Sequence, residues 1–130
     1  ANPALTVALD LTAEWDKVAP AGSLVQGCVV VRKAFADAHP NEVKAFLAEY
    51  QASIEYLTAE PDQASQMIED AGIFAKAAVA AKAIPNCNVC FVSGADMQAA
   101  LTEFLTALST VAPQSIGGEV PGDDFYCILK

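Results

Sequence analysis

A run of three β-branched residues, Val29, Val30 and Val31, constrains the fold of this chain more than any other feature. These valines lie in segment 23–35, which reads SLVQGCVVVRKAF and follows the turn-like sequence APAG. A continuous apolar run of this kind is typical of a strand buried on both faces of a sheet. Such a strand needs neighbours, because an isolated strand leaves backbone N–H and C=O groups unpaired. We therefore expect a central strand at residues 29–31.

Few other segments can pair with that strand. Residues 6–9 and 89–92 are short apolar stretches that suit extended conformations, whereas most of the remaining chain has helical spacing. The pattern predicts an α/β fold that is mostly helical, with four to five helices and two or three short strands. Three strands are too few to bury residues 29–31 on both sides, so the sheet is expected to be incomplete.

The longest expected helix begins at Pro40, because proline suits the first helical position, where its missing N–H is not needed. A second helix begins at Pro61 and runs toward Gly72, which we expect in the left-handed conformation that often ends helices. An alanine-rich helix is expected at residues 74–84. The first of these helices carries an apolar stripe, which we expect to face the core. The stripe consists of Val43, Phe46, Leu47, Tyr50, Ile54 and Leu57.

Another long helix is expected to begin at Ser93, because Ser93 and Asp96 have the spacing of a capping box. Shorter helical segments are expected at residues 10–18 and 33–38. The tail is rich in turn-forming residues but ends in aromatic residues near Tyr126, which we expect to dock on the body of the protein.

The charge balance excludes some classes of partner. The chain has 130 residues, and seven Lys and Arg residues against sixteen Asp and Glu residues give a net charge of −9. Phosphates would be repelled, so we expect neither nucleic acid nor an anionic membrane surface as a partner. The length of 130 residues fits one domain, and a hydrophobic content of 54% argues against disorder. The chain starts with neither an initiator Met nor a signal-peptide pattern, so we expect a processed exported protein or a piece of a longer one.

The chain contains four cysteines, namely Cys28, Cys87, Cys90 and Cys127. Cys87 and Cys90 form a CxxC pair, which suits a thiol redox site or half of a zinc site. A second CxxC at metal-binding spacing is absent from the sequence, and the pair precedes an extended run instead of a helix start. We expect mostly free, buried thiols, and we keep a redox or metal module at Cys87 and Cys90 as an alternative.

No catalytic constellation is evident. His39 is the only histidine, and its place before a helix-starting proline suits an exposed cap residue. A single histidine without a nucleophile elbow does not suggest a catalytic triad. Gly117 and Gly118 are not followed by the lysine of a phosphate-binding loop. The residues therefore predict a protein that is not an enzyme and has no cofactor.

Several motifs, taken in order, resemble the later part of solute-binding proteins of ABC importers. The branch that they resemble is the one for sulfonates, nitrate and thiamine precursors. The motifs are LDLTAEWDKV (9–18), LVQGCVVVR (24–32), HPNEV (39–43) with its continuation EYQASI (49–54), AIPNCNV (83–89), SGADM (93–97), PQSIGG (113–118) and DDFY (123–126).

This resemblance implies part of a two-lobed periplasmic-binding-protein type 2 fold with the ligand cleft between the lobes. Residues 1–22 would end the second lobe and approach the hinge, and residues 23–130 would form the C-terminal part of the first lobe. The protein would be an extracytoplasmic protein, in the periplasm or lipid-anchored at the outer face of the cell membrane. It would capture a small ligand and deliver it to the permease subunits of an importer.

Under the same resemblance, Asp10 would lie at the cleft rim, and Gln26 and Gly27 would lie at the hinge near the cleft floor. Exposed strand edges in such a fragment would allow two copies of the chain to pair. The alternative from a different class is a small self-contained helical interaction domain without ligand-binding activity. The sequence does not identify the ligand.

Overall fold

The computed structural model describes residues 4–129, which form six α-helices joined by turns and extended segments. The helices are α1 (Leu11–Trp15), α2 (Lys33–Ala38), α3 (Pro40–Ala59), α4 (Pro61–Asp70), α5 (Ala77–Ala83) and α6 (Gly94–Val111). Short 3-10 turns lie at Ile84–Asn86, Pro113–Ile116 and Asp123–Phe125. The chain divides into two compact units. The contiguous unit is Lys33–Val92, and the split unit combines the residues up to Arg32 with those from Ser93 onward.

The described residues contain no β-strand, so the predicted α/β fold is wrong. The expected strands at 6–9, 29–31 and 89–92 are irregular segments. Val30, expected at the centre of a sheet, is 81% exposed. A strand is stabilised by hydrogen bonds to neighbours that are distant in sequence, and β-branched residues alone do not supply those neighbours. The valine run therefore remains unpaired within the described chain.

The contiguous unit confirms the helix starts that proline indicated. Pro40 and Pro61 each occupy the first turn of a helix, and Gly72 follows α4 with a φ of +69°. Helices α3 and α4 pack together, and α4 packs most extensively on α5. Small side chains allow that close approach, because Ala64, Ser65 and Ala80 are all buried at exposures of 6% or less.

The apolar stripe of α3 is only partly covered. Val43 is buried, but Phe46 and Tyr50 are 50% and 39% exposed, so the expected full burial of the stripe is wrong for these two rings. The two rings stack at a centroid distance of 5.7 Å, and Tyr50 also meets Phe91 edge-on at 6.2 Å. These aromatic pairs bury part of each ring without enclosing it.

Helix α5 is shorter than the expected 74–84 because the preceding residues form the turn that ends α4. The backbone N–H groups of Ile73 and Phe74 both donate to the carbonyl of Ile68. The helix starts only at Ala77, whose N–H donates to a carboxylate oxygen of Glu69 at 2.6 Å. A side chain from α4 therefore satisfies one of the free N–H groups at the first turn of α5.

In the split unit, α1 covers less than the expected 10–18 and is anchored by Trp15. The indole N–H of Trp15 donates to the hydroxyl of Ser23 at 2.8 Å, and that hydroxyl donates to the carbonyl of Pro20 at 2.6 Å. Ser23 is 2% exposed, so these two hydrogen bonds stabilise the turn after α1 at a position that water hardly reaches. The Trp15 ring also contacts Phe104 of α6 at a centroid distance of 5.5 Å.

The C-terminal segment docks on α6, as the aromatic residues predicted. Tyr126 is 8% exposed and its hydroxyl shares a 2.8 Å hydrogen bond with that of Thr102. The amide of Gln98 donates to Asp123 at 2.9 Å. Phe125, in contrast, is 57% exposed.

The predicted capping box at the start of α6 is wrong. Ser93 is the N-cap, but its side chain makes no capping hydrogen bond. The next residue, Gly94, has a φ of +64°, a conformation that glycine adopts without a Cβ clash. The chain thus enters α6 through a glycine turn, and the side chain of Ser93 does not cap it.

Candidate functional site

Asp10, one of the three predicted ligand or hinge residues, is engaged in its own helix. Its carboxylate accepts hydrogen bonds from the backbone N–H groups of Thr12 and Ala13 at 2.9 and 3.2 Å. This is the geometry of a helix N-cap, and a carboxylate also suits the positive end of the helix dipole. The structure therefore gives Asp10 a local role in starting α1. A role in ligand binding stays a prediction.

Gln26 and Gly27, the other two predicted residues, lie in the irregular segment between Ser23 and α2. Both are exposed, and neither makes a hydrogen bond to a described residue. The φ of Gly27 lies outside the left-handed region, and a Cβ added there would meet no atom within 4 Å. Neither the backbone conformation nor the space around position 27 therefore requires glycine. Its assignment as a hinge stays a prediction, as does that of Gln26.

A groove of about 560 Å³ lies on the split unit, between α6 and the C-terminal segment. Its walls are mainly apolar, and its two side chains with polar groups are Ser115 and Glu119. The hydroxyl of Ser115 already donates to the carbonyl of Ala112. The carboxylate of Glu119 is the charged group in the lining of the groove. The apolar lining residues are Leu105, Ile116, Pro121 and Phe125.

A smaller groove of about 250 Å³ lies on the contiguous unit. It is formed by the end of α3, the start of α4 and the 3-10 turn at Ile84–Asn86. Thr58 and Asn88 contribute its polar side chains. The hydroxyl of Thr58 donates to the carbonyl of Glu55, so it already serves its own helix.

The cysteines differ from their expected placement. All four are unpaired and exposed, so the prediction of buried thiols is wrong. The thiol of Cys87 lies 3.3 Å from the carbonyl of Ala83 and donates to it, as expected for a residue at a helix end. Among residues 4–129, no group of three or more His, Cys, Asp or Glu side chains could hold a metal ion.

Sequence reasoning missed the polar contacts that hold the split unit together. Thr102 and Tyr126 are 24 residues apart, and Gln98 and Asp123 are 25 apart. Neither pair shares a helix, so no periodic pattern could have linked them. The burial expected for the terminal aromatics was the only signal that pointed toward these contacts.

Comparison with known proteins assigns the family. A sequence profile described as menaquinone biosynthesis matches residues 1–109, which is more than half of the chain. The chain therefore belongs to the menaquinone biosynthesis family. Neither the curated proteins nor the solved structures gave a significant match. The match includes all of the contiguous unit, the first part of the split unit and most of α6.

This family overturns the resemblance to ABC-importer solute-binding proteins. The predicted delivery of a small ligand to permease subunits, and with it a role in transport, is therefore wrong. Pairing of two copies through strand edges also loses its basis, because the described residues form no strand. Each of the seven motifs was short, and the resemblance depended only on the order in which they occur. Neither the helical interaction domain nor the thiol or metal module is better supported.

The family match also bears on whether the protein is an enzyme. The family indicates a biosynthetic enzyme or a protein related to one, which conflicts with the expectation of no enzymatic activity. The division into lobes at residues 1–22 and 23–130 stays a prediction, as does an extracytoplasmic location. In residues 4–129, no helix combines the length and the hydropathy needed to cross a bilayer.

Proposed function

We propose that this chain acts in menaquinone biosynthesis as part of an enzyme. The proposal is based on the match of the family profile over residues 1–109. The net charge of −9 disfavours polyanionic partners such as nucleic acid.

Within the matched region, we propose Gln26 and Gly27 as substrate contacts. Neither residue makes a hydrogen bond to a described residue, so the Gln26 amide and the Gly27 backbone N–H are available to a ligand. Both groups are neutral, and they can bind carbonyl or carboxylate oxygens without the cost of burying a charge. Asp10, whose carboxylate is held by two backbone N–H groups, is proposed to position this segment by anchoring α1.

The first experiment tests the pathway. The gene that encodes this chain is deleted in its own host, and menaquinone is measured by liquid chromatography and mass spectrometry. Loss of menaquinone, restored by the intact gene, is the expected result. An unchanged menaquinone content would contradict the proposal.

A second experiment tests whether the protein is catalytic. An extract of the deletion strain should accumulate a pathway precursor, and the purified full-length protein should convert that precursor without other proteins. If conversion needs the extract as well, the enzymatic part of the proposal fails although the pathway assignment remains.

The proposed contact is tested with a matched pair of variants. Gln26→Ala should lower the rate constant kcat/KM for the precursor by about fivefold, as expected for one hydrogen bond to a ligand. Gln51→Ala removes an exposed amide whose bond to Glu55 lies on the surface of α3, so it should leave the rate unchanged. Equal values of kcat/KM for the two variants would show that Gln26 does not contact the substrate.

A further inference from the structure

Residues 26–31 are an exposed stretch of chain without main-chain hydrogen bonds to any described residue. All six residues are exposed. They follow the turn after α1, in which Ser23 is buried. The stretch leads directly into Arg32 and Lys33, which are the only two adjacent basic residues in the sequence. Arg32 is also the last residue of the first part of the split unit, and Lys33 is the first residue of the contiguous unit.

From this placement we propose that the peptide bond between Arg32 and Lys33 is a cleavage site for an endoprotease with trypsin-like specificity. Such proteases bind their substrates as an extended strand, and main-chain hydrogen bonds provide much of the affinity. Residues 29–31 present that backbone without first having to break internal hydrogen bonds. The β-branched valines favour the extended conformation that the protease requires.

The reaction is hydrolysis of one amide bond. Water adds its hydroxyl to the carbonyl carbon of Arg32, and the nitrogen of Lys33 leaves with a proton. The products are a new carboxylate at Arg32 and a new amine at Lys33. The residues after the bond belong to α2, which has six residues and is short enough to open at its first turn.

The other basic residues are less suited to cleavage. Lys44 lies within the 20-residue α3, where cleavage requires local unfolding. The carbonyl of Lys82, near the end of α5, accepts a hydrogen bond from the side-chain amide of Asn86 at 3.2 Å. Lys17 lies in the turn after α1 and is held to Glu14 at 2.6 Å. The carbonyl of Lys76 accepts hydrogen bonds from the N–H groups of Val79 and Ala80, and the N–H of Ala77 donates to Glu69, so the bond after Lys76 is held on both sides.

The test is limited digestion of the folded protein with trypsin, followed by intact-mass measurement over time. The first products should be residues 1–32 and 33–130, or the pair cut one residue later, and they should form about tenfold faster than any other product. Circular dichroism of the same sample confirms that the helices are intact. Earlier cleavage after Lys17, Lys44, Lys76 or Lys82, or equal rates at all sites, would overturn the proposal.

Two variants control for folding. Lys33→Pro places proline at the first position of α2, which a helix tolerates, and trypsin does not cut before proline. This variant should abolish the early cut and keep the circular dichroism spectrum unchanged. Lys44→Gln, within α3, should leave the early cut as fast as in the unaltered protein. Persistence of an early product ending at residue 32 in Lys33→Pro would contradict the assignment.

Discussion

The two compact units of this chain differ in the contacts that stabilise the interior of each. In the contiguous unit, successive helices pack on each other, and its closest packing joins α4 to α5 through Ala64, Ser65 and Ala80. In the split unit, the contacts join residues far apart in sequence, such as Trp15 with Phe104. The contiguous unit thus depends on local apolar packing, and the split unit on non-local aromatic and polar contacts.

This difference determines how each unit responds to mutation. Local helix packing is sensitive to side-chain volume, because closely packed backbones leave no room for added methylene groups. Non-local contacts must also offset the entropy of closing the chain between them. We therefore expect size changes to be most damaging in the contiguous unit, and loss of single polar or aromatic groups to be most damaging in the split unit.

The largest effect is expected at the interface of α4 and α5. Ala80→Leu adds three carbons to a side chain that is 6% exposed, and should lower the free energy of unfolding by about 3 kcal/mol. Hydrogen exchange measured by mass spectrometry should become faster in peptides from α4 and α5. Ala83→Leu, at an exposed position of the same helix, should have little effect. Equal losses for the two variants would show that the interface is not closely packed.

The next largest effect is expected in the split unit. Trp15→Phe retains an aromatic ring but removes the N–H that donates to Ser23, and should lower the free energy of unfolding by about 1.5 kcal/mol. Exchange should become faster in peptides from α1 and α6. Val18→Ala serves as the control, since Val18 is 82% exposed. A stability unchanged by Trp15→Phe would mean that the bond to Ser23 contributes nothing to this unit.

A gain in stability is expected at Ser65. Its hydroxyl is buried and has no hydrogen-bond partner within the described residues, so it lost its hydration on folding without replacement. Ser65→Ala should raise the free energy of unfolding by about 1 kcal/mol, measured by urea denaturation. The exposed Ser53→Ala in α3 is the matched control and should change stability by less. A loss of stability on Ser65→Ala would indicate an unrecognised partner for the hydroxyl.

The smallest effect is expected at the valine run. Val30 is 81% exposed, so Val30→Thr should change the free energy of unfolding by less than about 0.5 kcal/mol. If residues 29–31 instead formed a buried strand, the added hydroxyl would lower stability by about 2 kcal/mol. Chemical denaturation of the two proteins side by side distinguishes these outcomes.

Most of the helices could be predicted from the sequence because their signals are local. Pro40 and Pro61 mark helix starts through their missing N–H, and Gly72 marks a helix end through its left-handed backbone. Boundaries were less accurate where tertiary contacts decide them. Helix α5 begins late because Ile68 and Glu69 provide hydrogen-bond partners for the residues before it and at its start.

The candidate site was predicted less well. Asp10 was predicted as a ligand residue at a cleft rim, whereas the hydrogen bonds of its carboxylate are those of a helix N-cap. The groove beside α6 was not predicted, because it joins Leu105 to residues of the tail such as Glu119. A match to a family profile averages evidence over many positions, and seven short motifs could not substitute for it.

The positions of most helices, the acidic charge and the docking of Tyr126 follow from the sequence, since each depends on propensity, composition or the burial of an aromatic ring. Whether Val29, Val30 and Val31 form a strand depends on tertiary contacts. Their β-branched side chains favour extended backbone, but a sheet also requires neighbouring strands that this chain does not form among its described residues. Helical hydrogen bonds are local, whereas those of a sheet are made between distant segments, so a sequence pattern predicts helices more reliably than strands.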